Sequence, residues 1–301
     1  MALIWGTNYA IVKSAFRDID PQAFNALRLI LASVTLTLAS RAAGRLQLDD
    51  DFHTAARVTP DEWIRLAGLG LIGHCLYQYL FVGGLARTSV ANGSLIISLT
   101  PVAITFASAV GGHERIGALH WAGTLLSLAG IYLVVGHGAH VGGASVRGDL
   151  MLMAAVACWT FYTIGARPLM ARHSPLGVTA MSMLIGTIVY VPAASGNLAR
   201  VPWRDVSALA WVKLVYSALF ALCVAYTIWY AAVRRIGGAR TSVYSNLLPV
   251  VAMLTAYLWL QEPIGRIKLI GAAAVLGGVA LTRRAQEPPS LTSAVPAVRQ
   301  S

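Results

Sequence analysis

Apolar runs of about 17–25 residues recur along the whole chain, and none of them carries an aspartate or glutamate in its interior. A run of that length crosses the ~30 Å hydrocarbon core of a bilayer as a helix. It also lacks the polar face that a helix in a water-soluble fold turns outward. Charged residues are 12% of the 301 and hydrophobic ones 57%, whereas a soluble domain is about a quarter charged. The expected fold is an all-α integral membrane protein.

Periodicity and breakers divide the chain into ten expected spans, at 1–16, 22–40, 62–86, 90–111, 117–137, 148–167, 175–195, 206–233, 240–260 and 264–282. One segment of this series is written twice. "LTPVAITFASAVGGHERIG" (99–117) and "LLPVVAMLTAYLWLQEPIG" (247–265) place Pro101 and Pro249, Glu114 and Glu262, and Gly117 and Gly265 at a spacing of 148. Trp63 and Trp211, Gly123 and Gly271, and Gly130 and Gly278 keep that spacing. Nearer the start the spacing is 154, for Trp5 and Trp159, Pro21 and Pro175, and Ala26 and Ala180. The change falls in the polar stretch "RAAGRLQLDDDFHTAARVTPDE", where extra residues are tolerated. The expected organisation is two five-helix repeats, residues 1–147 and 148–282, followed by a Pro- and Ser-rich disordered cytoplasmic tail at 283–301. Five spans per repeat put the second copy into the membrane upside down, with a central cavity between the halves.

The net charge of +11 is scattered rather than striped, so no nucleic-acid partner is expected. With the N-terminus inside, 13 Lys and Arg fall in cytoplasmic segments and 8 in external ones, leaving Lys13 and Arg28 within spans. That bias places both termini in the cytoplasm of a bacterial inner membrane. Cys75, Cys158 and Cys223 each sit in an apolar run and read as small core residues. Met1 is followed by "ALIWG" with no basic leader, so no signal peptide is expected. Trp5 lies nearer the start of its span than Trp159 does, so the first helix is expected to begin upstream of Met1 or to stop short of the inner surface.

"WGTNYAIVK", then Pro21, then "ALRLILA", together with the doubled proline and terminal glutamate, resembles the EamA repeat of the drug/metabolite transporter superfamily. The resemblance covers roughly residues 1 to 282. It implies a ten-span carrier of small metabolites with a cavity between its halves, most like the bacterial exporters of aromatic amino acids. By position it marks Trp5, Gly6, Asn8, Lys13, Pro21, Arg28, Pro101, Glu114, Pro249 and Glu262. The second half departs from the pattern, with Thr160 in the place of Gly6 and Ser182 in that of Arg28, so a chemically asymmetric cavity is expected.

Polar and aromatic residues at mid-membrane depth need partners or a wet cavity. His74, Tyr77, Gln78 and Phe81 share one stripe of the third span at helical spacing. Trp159 with Tyr162, Trp5 with Asn8, and Tyr226 with Trp229 and Tyr230 form further pairs and stripes. Two readings stand for the mid-membrane set, cavity lining and helix–helix glue. Trp203, Trp211, Trp229 and Tyr230, near span ends, suit an interfacial belt. Lys13 can snorkel outward. Arg28 has three candidate partners: a substrate carboxylate, backbone carbonyls, or Asp18 or Asp20. Pro101 and Pro249 should kink their helices and act as hinges, with Asn92, Ser98, Thr100, Tyr244, Ser245 and Asn246 near the freed carbonyls. Glu114 and Glu262 read as helix caps or gate residues. "GTLLSLAG" and "GAAAVLGG", on spans five and ten, suit scaffolding or a homodimer surface.

The substrate-binding set expected is therefore Trp5, Asn8, Lys13, Arg28, His74, Tyr77, Gln78, Asn92, Ser98, Trp159, Tyr162, Tyr226, Tyr244 and Asn246. No cofactor or metal is expected, since the histidines lack HExxH spacing, and neither Gly-x-Ser-x-Gly nor paired intramembrane aspartates occur. An enzyme is accordingly disfavoured. A proton-coupled carrier relies on an intramembrane carboxylate, so facilitated movement is expected, with His74 as the alternative relay. A drug or nucleotide-sugar carrier is the competing solute class.

Overall fold

The computed structural model describes the backbone of residues 1–54, 56–88, 90–112, 116–135, 146–260 and 265–284. It describes their side chains also, except at 90–92, 135, 252, 256, 257, 259, 260 and 283. Every regular element among the described residues is helical. In order these are α1 (Ala2–Ala15), α2 (Pro21–Arg45), α3 (Pro60–Arg87), α4 (Val90–Ile97), α5 (Thr100–Val110) and α6 (Ala118–Val135). There follow α7 (Val146–Ala166), α8 (Pro175–Ala193) with a short unnumbered helix Ser195–Arg200 after it, α9 (Ala208–Ile236), α10 (Gly238–Ser242), α11 (Leu247–Leu260) and α12 (Arg266–Arg284), besides short 3-10 turns. Among the described residues, six helical segments are long and apolar enough to cross a membrane: α2, α3, Gly93–Val110, Val146–Ala171, α8 and α9. Their outward side chains, such as Leu71, Phe106, Ile188 and Val212, are exposed, an apolar exterior that only lipid would cover favourably. The protein is a multi-pass membrane protein.

Short local signals set the helix starts. The Asp20 carboxylate accepts from the backbone N–H groups of Gln22 (2.9 Å) and Ala23 (3.1 Å), with Pro21 in the first turn of α2. Thr59 and Glu62 close a reciprocal capping box on α3 ahead of Pro60. The Ser174 and Ser207 hydroxyls accept from Gly177 and Ala210 N–H at α8 and α9. Each such cap contributes about 1 kcal/mol by supplying a partner to an otherwise orphaned donor.

The long helices α3 and α9 are interrupted in their middles by π turns, at Gly70–Leu76 and Ser217–Val224. These interruptions, and the starts of α3 and α9 and of α6 and α12, keep the spacing of 148. The π turn in α3 is accommodated by close approach to the second half. A Cβ on Gly73 would lie 2.3 Å from the Tyr162 ring, and one on Gly70 would lie 2.6 Å from the Ser182 carbonyl oxygen.

The two proline helices are broken rather than kinked. The chain leaves α-helical geometry between Ile97 and Thr100, and Pro101 sits in the first turn of α5. Proline cannot donate to the Ile97 carbonyl one turn back, and the Thr100 hydroxyl takes that carbonyl at 2.6 Å. In the second half a 3-10 turn, Val243–Asn246, precedes α11 and Pro249. Ser98 and Ser245 donate to the carbonyls of Ser94 (2.7 Å) and Ser242 (2.6 Å). Glu114, Glu262 and the tail from 285 lie outside the described residues.

Helices α6 and α12 pack along each other, antiparallel, through glycine. A Cβ on Gly123 would meet the Gly278 carbonyl oxygen at 2.6 Å, and one on Gly130 would meet that of Gly271, also at 2.6 Å. The glycine faces of spans five and ten are thus joined within one chain, which corrects their assignment to a homodimer surface; a second copy would meet only the outer faces of these helices. Gly123→Val is expected to destabilise the detergent-solubilised protein by about 1–3 kcal/mol, because backbone cannot yield as a side chain does. Thermal unfolding measures this, and a change of oligomeric state at constant Tm would contradict the intrachain assignment.

Candidate solute site

Between the two halves of the chain lies a cavity with about 60 Å³ of space open to a water-sized molecule. Helices α1, α2, α3, α7 and α9 line it, with residues from the breaks before α5 and α11.

One wall is aromatic. The Trp159 ring lies 5.1 Å from Tyr77, 5.1 Å from Tyr226, 5.8 Å from Trp229 and 6.0 Å from Trp5, centroid to centroid. Most of these pairs are tilted or edge-on, the geometry that aromatic quadrupoles favour. The Trp5 indole donates to the Ala221 carbonyl at 2.9 Å. That carbonyl belongs to the π turn of α9, where the intrahelical register is shifted.

The opposite wall holds the one cation among the described lining residues, Arg28, which is 1% exposed. Its guanidinium donates to Ser217 Oγ (2.9 Å), Asn25 Oδ1 (2.8 Å) and Gln78 Oε1 (2.6 Å). Gln78 in turn donates from Nε2 to the Tyr226 hydroxyl at 3.1 Å. All these partners are neutral. Asp20 is occupied as the cap of α2, and Asp18 accepts from Ser207 Oγ at 2.7 Å, so neither acid expected from the sequence reaches Arg28. A buried charge held only by dipoles retains a strong preference for an anion. Three buried polar atoms of the lining have no partner: Arg28 Nε, Trp229 Nε1 and Asn8 Oδ1.

Of the expected set, the structure brings Trp5, Asn8, Arg28, Tyr77, Gln78, Trp159 and Tyr226 to this cavity. His74 and Tyr162 form a layer behind it. His74 Nε2 and the Tyr162 hydroxyl both meet Ser182 Oγ, at 3.2 and 2.7 Å, and the two rings lie 4.7 Å apart. His74 leaves the stripe of Tyr77, Gln78 and Phe81 because it sits within the π turn, where the 3.6-residue spacing fails. Lys13 does not face the cavity. Its Nζ donates to the carbonyls of Leu85 (2.6 Å), Ala86 (3.2 Å) and Thr88 (2.8 Å), capping the negative end of α3. Ser98, Tyr244 and Asn246 stand off the lining, although their neighbours Thr100 and Ser245 belong to it. Asn92 lies on α4, its side chain outside the described residues.

Sequence reasoning placed Trp229 and Tyr230 in an interfacial belt. Both are buried, at 0% and 1% exposure, while Trp203 and Trp211 do keep to the surface. Helix α9 runs on to Ile236, which holds Trp229 two turns from the end. The signal for Trp229 was present: it stands 148 residues after Phe81, as Tyr226 does after Gln78. Tyr9 and Leu248 also line the cavity and were not foreseen.

The described residues thus form an apolar, multi-helix membrane fold around a polar and aromatic cavity. The chain belongs to the EamA-like transporter family, whose model matches residues 1–136 and 146–284. It is 27% identical over 289 residues to an uncharacterized transporter of Archaeoglobus fulgidus, covering 94% of this chain and 95% of that one. It is 26% identical over 280 residues to a protein of Streptantibioticus cattleyicolor named "Probable terminal-alkyne amino-acid exporter", covering 93% and 90% respectively. A solved crystal structure at 23% identity shares the fold, with a TM-score of 0.73 over 95% of this chain and 96% of that one.

Gln78→Leu removes an acceptor from Arg28 and a donor from Tyr226, so it is expected to cost about 1–3 kcal/mol. Thermal unfolding in detergent reads this, and an unchanged Tm would show that the buried guanidinium does not depend on Gln78.

Proposed function

We propose that this transporter carries small neutral amino acids, aromatic ones preferred, out of the cell by alternating access of two inverted halves. The observation that carries the reading is Arg28, a buried cation without a carboxylate, in an aromatic cavity with unpartnered donors and one unpartnered acceptor. A solute carboxylate supplies the missing anion for Arg28 and accepts from Trp229 Nε1. An ammonium group donates to Asn8 Oδ1 and rests against the ring faces. The aromatic wall takes an apolar side chain. The amino-acid exporter among the relatives supports this solute class. A nucleotide sugar requires several cations for its phosphates, and the described lining offers Arg28 alone.

Inversion is supported by residues that meet their own counterparts. Trp5 touches Trp159 and Ser33 touches Thr187 at the 154 spacing, while Gln78 bonds Tyr226 at 148. Two copies related by a two-fold axis bring a residue against its counterpart only at that axis. The counterpart helices α6 and α12 run antiparallel, the relation expected of an axis in the membrane plane. The breaks before Pro101 and Pro249 serve as hinges, and rearrangement there opens the cavity around the solute. Both termini are placed in the cytoplasm of the inner membrane.

Movement is taken as facilitated, since no carboxylate stands among the described lining residues. One observation favours proton coupling as a second reading: His74 Nδ1 is buried without a partner beside Tyr226, whose ring lies 5.9 Å away.

Counterflow of labelled amino acids in proteoliposomes tests the proposal. Arg28→Lys, which loses the planar multi-donor geometry, is expected to lower uptake at least about tenfold. Trp229→Phe keeps a ring but lacks the N–H, and should weaken competition by amino acids more than it lowers Tm. Absence of exchange for every amino acid would remove the proposal. An imposed pH gradient should leave initial rates unchanged in the facilitated reading; stimulation that disappears in His74→Gln would establish the coupled one instead.

A further inference from the structure

The counterpart spacing falls from 154 to 148 between α2 and α3, so the first half is longer there by six residues. These extra residues lie in the stretch 46–59, whose counterpart is the shorter 200–207. The connection does not hang free. It crosses to the second half and is bonded to the start of α8 and the end of α9. Leu176 N–H donates to the Asp51 carbonyl (3.3 Å), Ser174 N–H to Thr54 Oγ1 (3.1 Å), and Ser174 Oγ–H to the Phe52 carbonyl (3.3 Å). Arg234 donates to the Asp50 carbonyl, and both Arg234 and Arg235 pair with the Asp51 carboxylate. Two turns onward, Glu62 accepts from Arg172 (2.8 Å) and His173 (3.1 Å) of the α7–α8 turn while closing the capping box of α3.

The opposite face has no equivalent among the described residues. The counterparts of Glu62, Arg172 and His173 are Ala210, Asp18 and Ile19, a set that cannot form an ion pair. Among the described residues that face is joined across the halves by hydrogen bonds without an ion pair: Ser207 Oγ to Asp18 Oδ2 (2.7 Å), Thr88 Oγ1 to Asp149 Oδ1 (2.6 Å) and the Tyr190 hydroxyl to Gln22 Oε1. If the halves exchange shapes, the two closed faces would be of equal strength in a symmetric chain. Here one is tied by ion pairs at partly buried carboxylates, with side-chain exposures of 11% for Glu62 and 12% for Asp51, and the other is not.

We propose that residues 46–54 and 56–62 form a strap that latches the carrier shut on its own face, so that the resting protein opens first on the face of the α1–α2 turn. The strap is a sequence-encoded bias on an otherwise two-fold device: Glu62 and Asp51 hold the second half, and solute leaves toward the strap face only when those pairs part. This rests on the alternating-access reading. It does not rest on the identity of the solute.

The test uses the full chain with Cys75, Cys158 and Cys223 replaced by alanine and Leu248→Cys as a reporter in the cavity, in sealed vesicles of known orientation. A membrane-impermeant maleimide is added from either face. The parent should label from the α1–α2 face and slowly from the strap face. Glu62→Gln with Asp51→Asn should raise strap-face labelling about tenfold, the scale of losing partly buried charge pairs. Equal labelling from both faces in the parent, or no change in the double variant, overturns the strap. Should that variant fold poorly, Thr54→Cys with Ser174→Cys addresses the same point. The disulfide should stop counterflow and strap-face labelling until reduced, leaving α1–α2-face labelling intact. Full transport by the oxidised protein overturns the proposal. A wrong solute assignment removes counterflow but leaves every labelling result readable, which separates the two failures.

Discussion

In a hydrocarbon medium nothing outside the chain can accept or donate a hydrogen bond, and the rest of this structure follows from that constraint. It forces the spans into helices. It also explains what happens wherever a helix is interrupted. The carbonyl that Pro101 leaves unpaired is taken by the Thr100 hydroxyl, and a carbonyl in the π turn of α9 is taken by the Trp5 indole. The exposed end of α3 is closed by all three protons of Lys13. Each repair joins elements that would otherwise have no reason to meet, so satisfying the backbone and packing the bundle become one problem.

Against that background the atoms left unsatisfied carry information. Asn8 Oδ1, Arg28 Nε and Trp229 Nε1 are buried without a partner and line the same cavity. The arrangement around Arg28 tolerates a charge through Asn25, Ser217 and Gln78 without neutralising it. Full neutralisation by a fixed aspartate would leave no charge on Arg28 for an anion to meet; under the proposed function, incomplete compensation is what allows reversible binding of a solute.

The repeated spacing shows where asymmetry sits. Counterpart residues meet at Trp5 with Trp159 and Gln78 with Tyr226, at the centre. Arg28 and its counterpart Ser182 do not play matching parts. Ser182 bonds Tyr162 and His74 behind the cavity, while Arg28 faces into it. The longer α2–α3 connection adds a second asymmetry, at the surface rather than the centre.

Hydropathy and the doubled skeleton were sufficient to mark a helical membrane protein and a repeated spacing, because those depend on local sequence and on the solvent. Seven of the cavity residues were legible for the same reason: polar or aromatic groups at mid-membrane depth have few alternatives. Tertiary structure alone decided the rest. Whether His74 faced the cavity depended on a π turn, which arises from close approach of α3 to α8 and leaves no local mark. Whether Lys13 bound solute or capped a helix depended on where α3 ended in space. The burial of Trp229 depended on how far α9 continued past it, and the docking of residues 46–54 and 56–62 on partners more than 100 positions away. Sequence fixes which groups require partners in lipid; only the packed bundle decides which partner each one finds.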